Sequence, residues 1–233
     1  MKITIIYDNN SLRDSVKADW GFSCLASCEA GNILFDTGAK EDILASNLSS
    51  LGIAPEDIST VFMSHNHFDH VGGLSFLLPH GPLQCFIPAS SKYKLAPKIT
   101  SKGSRAIYIK ERAQIAPHIW STGQMKGSIT EQSLVIEEGK ELVLITGCAH
   151  PGIVTIVEKV LHDFGKPPTL ILGGFHFFKM SQKTVRQHVL HLKQMGIKQI
   201  APCHCTGKEA INQIKELWGN GFLEAAAGAS VTV

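Results

Sequence analysis

The chain has 233 residues, with 22 Lys and Arg against 20 Asp and Glu, a formal charge of +2 with histidines neutral. Apolar residues make up 44% and charged ones 18%, which excludes an intrinsically disordered chain and suits one domain, 1–233, with a sizeable core. No apolar run approaches the roughly 18 residues of a membrane-spanning helix, and Met1-Lys2-Ile3-Thr4-Ile5 begins a strand rather than a signal peptide. A cytoplasmic location without membrane contact is therefore expected, with the six cysteines as thiols or metal neighbours.

The first predicted strand covers 2–6. Strands 22–28 and 31–35 follow, with Gly31-Asn32 read as their hairpin turn. A helix over about 40–51 precedes strands at 60–63 and 84–87 and a helix at 90–97. Strands 132–137 and 141–146 pair across Glu138-Gly139-Lys140, and a helix at 153–164 leads to a strand at 169–172. Helices at 181–195 and 207–218 come last. Ser181 is a good N-cap, Gly196 ends the same helix, and Val185, Val189 and Leu192 mark its buried stripe. The tail from Glu224 to Val233 reads as a last edge strand or a self-association segment. Hairpins followed by strand–helix units predict an α/β chain of mixed sheets with helices packed outside.

Between Lys92 and Arg112 seven basic residues face one acid, Glu111, a local charge of +6 that leaves the remainder near −4 by subtraction. A solvated surface is the favoured reading. The sharper one is a rim that attracts an anionic small-molecule substrate. A nucleic-acid partner is not expected, because the rest of the chain is acidic and only Tyr93 and Tyr108 interrupt the run.

Histidine carries the strongest signal. Of 11, six fall in four strand-end segments. Ser64-His65-Asn66-His67-Phe68-Asp69-His70 follows the apolar Val61-Phe62-Met63, and alternation in an extended segment lets His65, His67 and Asp69 converge, with His70 just beyond. Imidazole and carboxylate are ligands for divalent zinc or iron, and this density can seed a binuclear site. His150, His176 and His204 each stand just after a further apolar strand, and open α/β sheets assemble sites at one end of their strands.

Residues 65–70 match His-x-His-x-Asp-His, and the chain on this ground resembles the metallo-β-lactamase superfamily. Trp20-Gly21-Phe22-Ser23, Thr146-Gly147-Cys148-Ala149-His150, Gly173-Gly174-Phe175-His176 and Cys203-His204-Cys205-Thr206-Gly207 are similar to the branch of 7,8-dihydropterin-6-methyl-4-(β-D-ribofuranosyl)aminobenzene-5′-phosphate synthases. The resemblance implies a four-layer αβ/βα sandwich with two mixed sheets. It also implies two divalent metal ions, zinc foremost, with iron, manganese or nickel as alternatives. His65, His67 and His150 would hold one, and Asp69, His70 and His204 the other, with Asp36 of Phe35-Asp36-Thr37-Gly38 supporting the ligands from behind. The bridging aspartate of the superfamily pattern is missing near Gly173-Gly174-Phe175-His176, which puts the second metal's occupancy in question and makes the pocket more positive. His176 is read, in order, as a further ligand, a proton donor or a packing residue.

Weaker candidates remain. Cys148, Cys203 and Cys205 flank presumed ligands and are read as small buried residues pointing away. Thr206 either offers its hydroxyl to a substrate phosphate or caps the following helix. The expected activity is that of a metal-dependent hydrolase or related transferase, on a phosphate- or pyrophosphate-bearing molecule such as a pterin or nucleotide. It would use a metal-activated water or assist pyrophosphate departure, with Asp69 and His176 as catalytic groups. The alternatives are a non-catalytic sensor module and an iron-loaded redox member of the fold.

Overall fold

The computed structural model describes all 233 residues. Its strands are β1 (Lys2–Tyr7), β2 (Ser23–Cys28), β3 (Gly31–Phe35), β4 (Thr60–Phe62), β5 (Gln84–Pro88), β6 (Arg105–Ile109), β7 (Ala113–Ala116), β8 (Ile119–Ser121), β9 (Leu134–Glu138), β10 (Glu141–Thr146), β11 (Leu170–Gly174), β12 (Gln199–Cys203) and β13 (Ser230–Thr232). The helices are α1 (Glu41–Ser50), α2 (Phe68–Val71), α3 (Leu74–Leu77), α4 (Lys92–Thr100), α5 (Ile153–Phe164), α6 (Gln182–Gln194) and α7 (Lys208–Trp218). One sheet runs β13-β1-β2-β3-β4-β5-β6 and the other β12-β11-β10-β9-β8-β7. Both are mixed: β3 to β6 are parallel in the first, and β10 to β12 in the second.

Strands apolar on both faces need cover on both faces, and this need sets the layers. Phe35, Phe62, Val143, Ile145 and Leu172 point into the core between the sheets. Their neighbours Leu34 and Val61 face α1, α3 and α4, while Leu144 and Ile171 face α5, α6 and α7. The result is the αββα sandwich. Phe35 and Phe62 stack at its centre with ring centroids 5.5 Å apart, each burial contributing roughly 1.5–3 kcal/mol. α6 starts as expected, with Ser181 Oγ accepting the Thr184 amide at 3.2 Å. No helix is long and apolar enough to cross a membrane, and all six cysteines are free thiols.

Two features differ from expectation, and the tail takes one of its two expected forms. Cys28 pairs with Gly31, so the first hairpin turns at Glu29-Ala30, and Gly31, at φ 104°, opens β3 instead of forming the turn. The basic run folds into α4, β6 and the turn into β7, with β6 the outer edge of its sheet. The tail forms β13, antiparallel to β1 on the opposite edge.

Candidate metal centre

The site lies at the carboxyl ends of the parallel strands. Asp36 follows β3, the 64–70 segment follows β4, and Cys148 and His150 follow β10; His176 and His204 follow β11 and β12. Five non-glycine residues have a left-handed backbone, and four are here: Asp36 (φ 52°), Ala149 (57°), His176 (55°) and His204 (49°). Such conformations cost of order 1 kcal/mol each and gather at functional sites. The turns they make swing side chains from both sheets toward one point.

The structure brings the six histidines into contact. Ring centroids are 4.7 Å apart for His65 and His67, 4.2 Å for His65 and His70, 4.7 Å for His65 and His150, and 5.1 Å for His67 and His150. His204 lies 5.0 Å from His70, and His176 4.7 Å from His150. Asp69 Oδ2 is 3.4 Å from His204 Nε2 and 3.8 Å from His70 Nε2. His65 Nε2, His204 Nε2 and His176 Nδ1 are buried with no hydrogen-bond partner. A buried polar nitrogen left so costs free energy, and a cation held between these rings would satisfy them.

Fixed partners behind the rings explain which nitrogens point inward. Asp36, fully buried, accepts from the Ser64 amide (2.7 Å) and the Ser64 hydroxyl (2.6 Å), and its Oδ2 meets His70 Nδ1 at 2.7 Å. Ser64 Oγ also lies 2.9 Å from His65 Nδ1. With Ser64 donating to Asp36, His65 Nδ1 donates to Ser64, and the lone pairs of His65 and His70 fall on Nε2. Burial drives Asp36 up, and burial with the neighbouring His204 drives His70 down to about 3. His65 is pushed well down by burial and the neighbouring imidazoles.

Glu131 does the same for His150, and nothing in the sequence announced it. Its Oε2 meets His150 Nδ1 at 2.8 Å and accepts the His150 amide at 3.0 Å; Oε1 accepts the amides of Gly147, Cys148 and Ala149. Burial alone would raise this carboxyl, but His150, His65 and the backbone donors outweigh it and hold it well below the usual range. Gly147 is required, because a Cβ there would collide with Ser64 Oγ. His204 is set by Asp8 and Asn9: Asp8 Oδ1 accepts its amide at 2.8 Å, and Asn9 Oδ1 lies 3.1 Å from its Nδ1. Burial raises Asp8 to about 6. Both residues directly follow β1, so the rule that flagged the histidines, a polar residue after an apolar strand, would have flagged them.

Trp20 Nε1 donates to Asp69 Oδ2 at 2.8 Å, and its indole leans on the His204 ring at 5.1 Å. Burial opposes the Asp69 charge, yet His204 and His70 beside it lower its pKa below the usual range. Thr206 is a correction: it is fully buried, its hydroxyl accepts the Phe175 amide at 3.1 Å, and Gly207 occupies the cap of α7. It ties the His176 turn to the His204 turn and offers nothing to a substrate.

Cys203 lies in the core between the sheets, as expected, but Cys148 does not point away. It stands two residues before His150, not one, and Ala149 turns the backbone left-handed between them. Its Sγ is 3.2 Å from His70 Nε2. The His176 ring lies against His150, but its ring nitrogen groups with the thiols of Cys148 and Cys205, all within 4.8 Å. The basic run divides. Because β3 to β6 are parallel, Lys92 and Lys94 after β5 and Lys110 after β6 lie at the site's end of the sheet, whereas Arg105 begins β6 at the far end. Arg112 is engaged elsewhere, 4.6 Å over the Trp120 ring and 4.3 Å over Phe164.

Residues 28–204 match the model of the metallo-beta-lactamase superfamily. The chain belongs to that superfamily. It is 27% identical to the 7,8-dihydropterin-6-methyl-4-(beta-D-ribofuranosyl)-aminobenzene-5′-phosphate synthase of Methanocaldococcus jannaschii, over 89% of this chain and 88% of that protein. It is also 27% identical to an uncharacterised protein of the same organism, over 99% of this chain and all of the other. The solved structure of Tm1679, a metal-dependent hydrolase of the beta-lactamase superfamily, superposes with a TM-score of 0.86 at 25% identity, covering 100% of this chain and 99% of that one.

Proposed function

We propose that the chain is a metal-dependent hydrolase, or a transferase of related chemistry, acting on a phosphate- or pyrophosphate-bearing small molecule built on a pterin or nucleotide. The observation that carries this reading is the pair of buried, unpartnered nitrogens, His65 Nε2 and His204 Nε2, the first ring braced from behind by the Ser64 hydroxyl held on Asp36 and the second by the Asn9 amide oxygen. That bracing is what orients metal ligands. In this reading His65, His67 and His150 hold one divalent ion and Asp69, His70 and His204 a second. Imidazole with a carboxylate favours zinc, with iron, manganese and nickel as alternatives. When bound, such ions supply Lewis acidity and bring the pKa of water to about 7.

The remaining work falls to the chain. Trp20 holds the Asp69 carboxylate at a fixed angle beside His70 and His204, where it would orient the attacking group. His176, half-buried beside His150, is placed to give a proton to the leaving oxygen. Trp20, Phe68 and Phe178 are exposed around Asp69 and His176, with Trp20 and Phe178 edge to face at 6.3 Å, a setting for a flat heterocycle. Lys92, Lys94 and Lys110 add positive potential at the same end of the sheet. Similarity to a pterin synthase whose product carries a 5′-phosphate, and to a metal-dependent hydrolase, supports the substrate class and the reaction class in turn.

The test is phosphate and pyrophosphate release from phosphomonoesters, phosphodiesters and pyrophosphoryl esters of pterins and nucleotides, with protein loaded separately with zinc, iron(II) and manganese. Turnover that His65→Ala abolishes is the expected result. Protein shown by elemental analysis to hold metal, yet silent on the whole panel, would overturn the proposal.

A further inference from the structure

The two donor groups share one atom. Cys148 Sγ forms a set with His65 and His150, and a second set with His70 and His204; within each set every ligand atom lies within 4.8 Å of the others. His65 and His204, the residues carrying the unpartnered nitrogens Nε2, stand one in each set, and both are at least nine-tenths buried. A thiol between two such nitrogens is the only sulfur the sets have in common. No carboxylate occupies that position: Asp69 lies toward His70 and His204, and Asp36 and Glu131 lie behind the rings. Its placement is built rather than incidental, because Glu131 accepts the Cys148 amide at 2.9 Å and the left-handed Ala149 fixes the direction of the turn.

We propose that Cys148 is a metal ligand shared by the two cation positions, a central thiolate supplying the anionic charge that the 173–176 segment lacks. This rests on the metal-centre reading above and goes beyond it in naming a sulfur donor and a metal class. On binding, the S–H bond breaks, its proton passes to solvent, and the sulfur lone pairs bond the cations. Thiolate is a soft donor, so the centre selects zinc, cobalt or iron(II) and rejects magnesium and calcium, which want oxygen. It also returns one negative charge to the pocket, so the second position is held more firmly than two neutral imidazoles and one carboxylate would allow.

The experiment is titration of metal-free protein with cobalt(II), followed by absorption spectroscopy and by mass mapping of thiols alkylated with and without cobalt. The expected result is uptake of cobalt with a thiolate-to-cobalt charge-transfer band in the near ultraviolet, alkylation of Cys148 suppressed at least tenfold by cobalt, and loss of the band in Cys148→Ser but not in Cys205→Ser. The alkylation arm uses the unaltered chain, so it stands even where Cys148→Ser does not fold. Cobalt bound with visible ligand-field bands but no thiolate band would overturn the sulfur assignment and leave the metal centre standing. A band that survives Cys148→Ser and vanishes in Cys205→Ser would also overturn it. No cobalt uptake at all would overturn both.

Discussion

Asp36 Oδ2 and His70 Nδ1 meet at 2.7 Å with neither side chain reaching solvent. The same carboxyl takes the amide and hydroxyl of Ser64, and through that hydroxyl fixes His65. One residue after β3 thereby sets the tautomers of two rings after β4. Asp36→Asn keeps the shape but turns an amide NH₂ toward one of these donors. Metal affinity is expected to fall 10–100-fold, with the metal-free fold weakened by about 1–3 kcal/mol. Competition titration with a chromophoric chelator and urea unfolding measure the two effects.

Glu131 accepts four backbone amides and faces His150 Nδ1 without solvent. Glu131→Gln replaces an oxygen that accepts by an NH₂ that cannot. The expected loss is about 3 kcal/mol of stability, together with fewer metal ions per chain. Elemental analysis beside urea unfolding checks this; unchanged stability would mean the 147–150 turn is held by something else.

Gly147 packs its backbone against Ser64 and Glu131, and a methyl there would overlap the Ser64 side chain. Gly147→Ala touches no ligand, yet it should disturb both braced groups at once. The expected cost is roughly 1–3 kcal/mol. Histidine NMR resonances would report it, with the His65, His70 and His150 signals moving together.

Acid should weaken the metal-free protein. Burial lowers His65, His67 and His70, the last to about 3 from its ordinary 6.5, so the folded chain binds fewer protons than the unfolded one and stability falls as pH drops below 6.5. Burial raises Asp8 to about 6 and raises Asp36 as well, and these two work in the opposite direction. Three imidazoles against two carboxyls leave a net loss. The urea midpoint is expected to be lower near about pH 5.5 than near about pH 7.5; an equal or higher midpoint at the acid value contradicts this.

Strands β3 and β10 match their predicted bounds, 31–35 and 141–146, because residues buried on both faces leave a continuous apolar run. β6, β7 and β8 were missed: Arg105–Ile109 is a half-exposed edge, and Ala113–Ala116 and Ile119–Ser121 are too short for a pattern to show. At the site, histidines stand out because they are scarce and follow apolar strands. Ser64 and Glu131 do not, since a serine beside a strand end is common and Glu131 sits in a polar loop 19 residues from the ring it orients. Cys148 was misread for a geometric reason. Only a residue next to a ligand points away from it; Cys148 stands two before His150, where alternation already puts both side chains on one face.

Those left-handed turns at Asp36, Ala149, His176 and His204 set two selective pressures against each other. At Ala149 and His176, whose side chains make no buried hydrogen bond, glycine would sit more comfortably, so a library screened for heat tolerance alone should drift toward it there. The survivors would be hardier proteins whose centre no longer assembles.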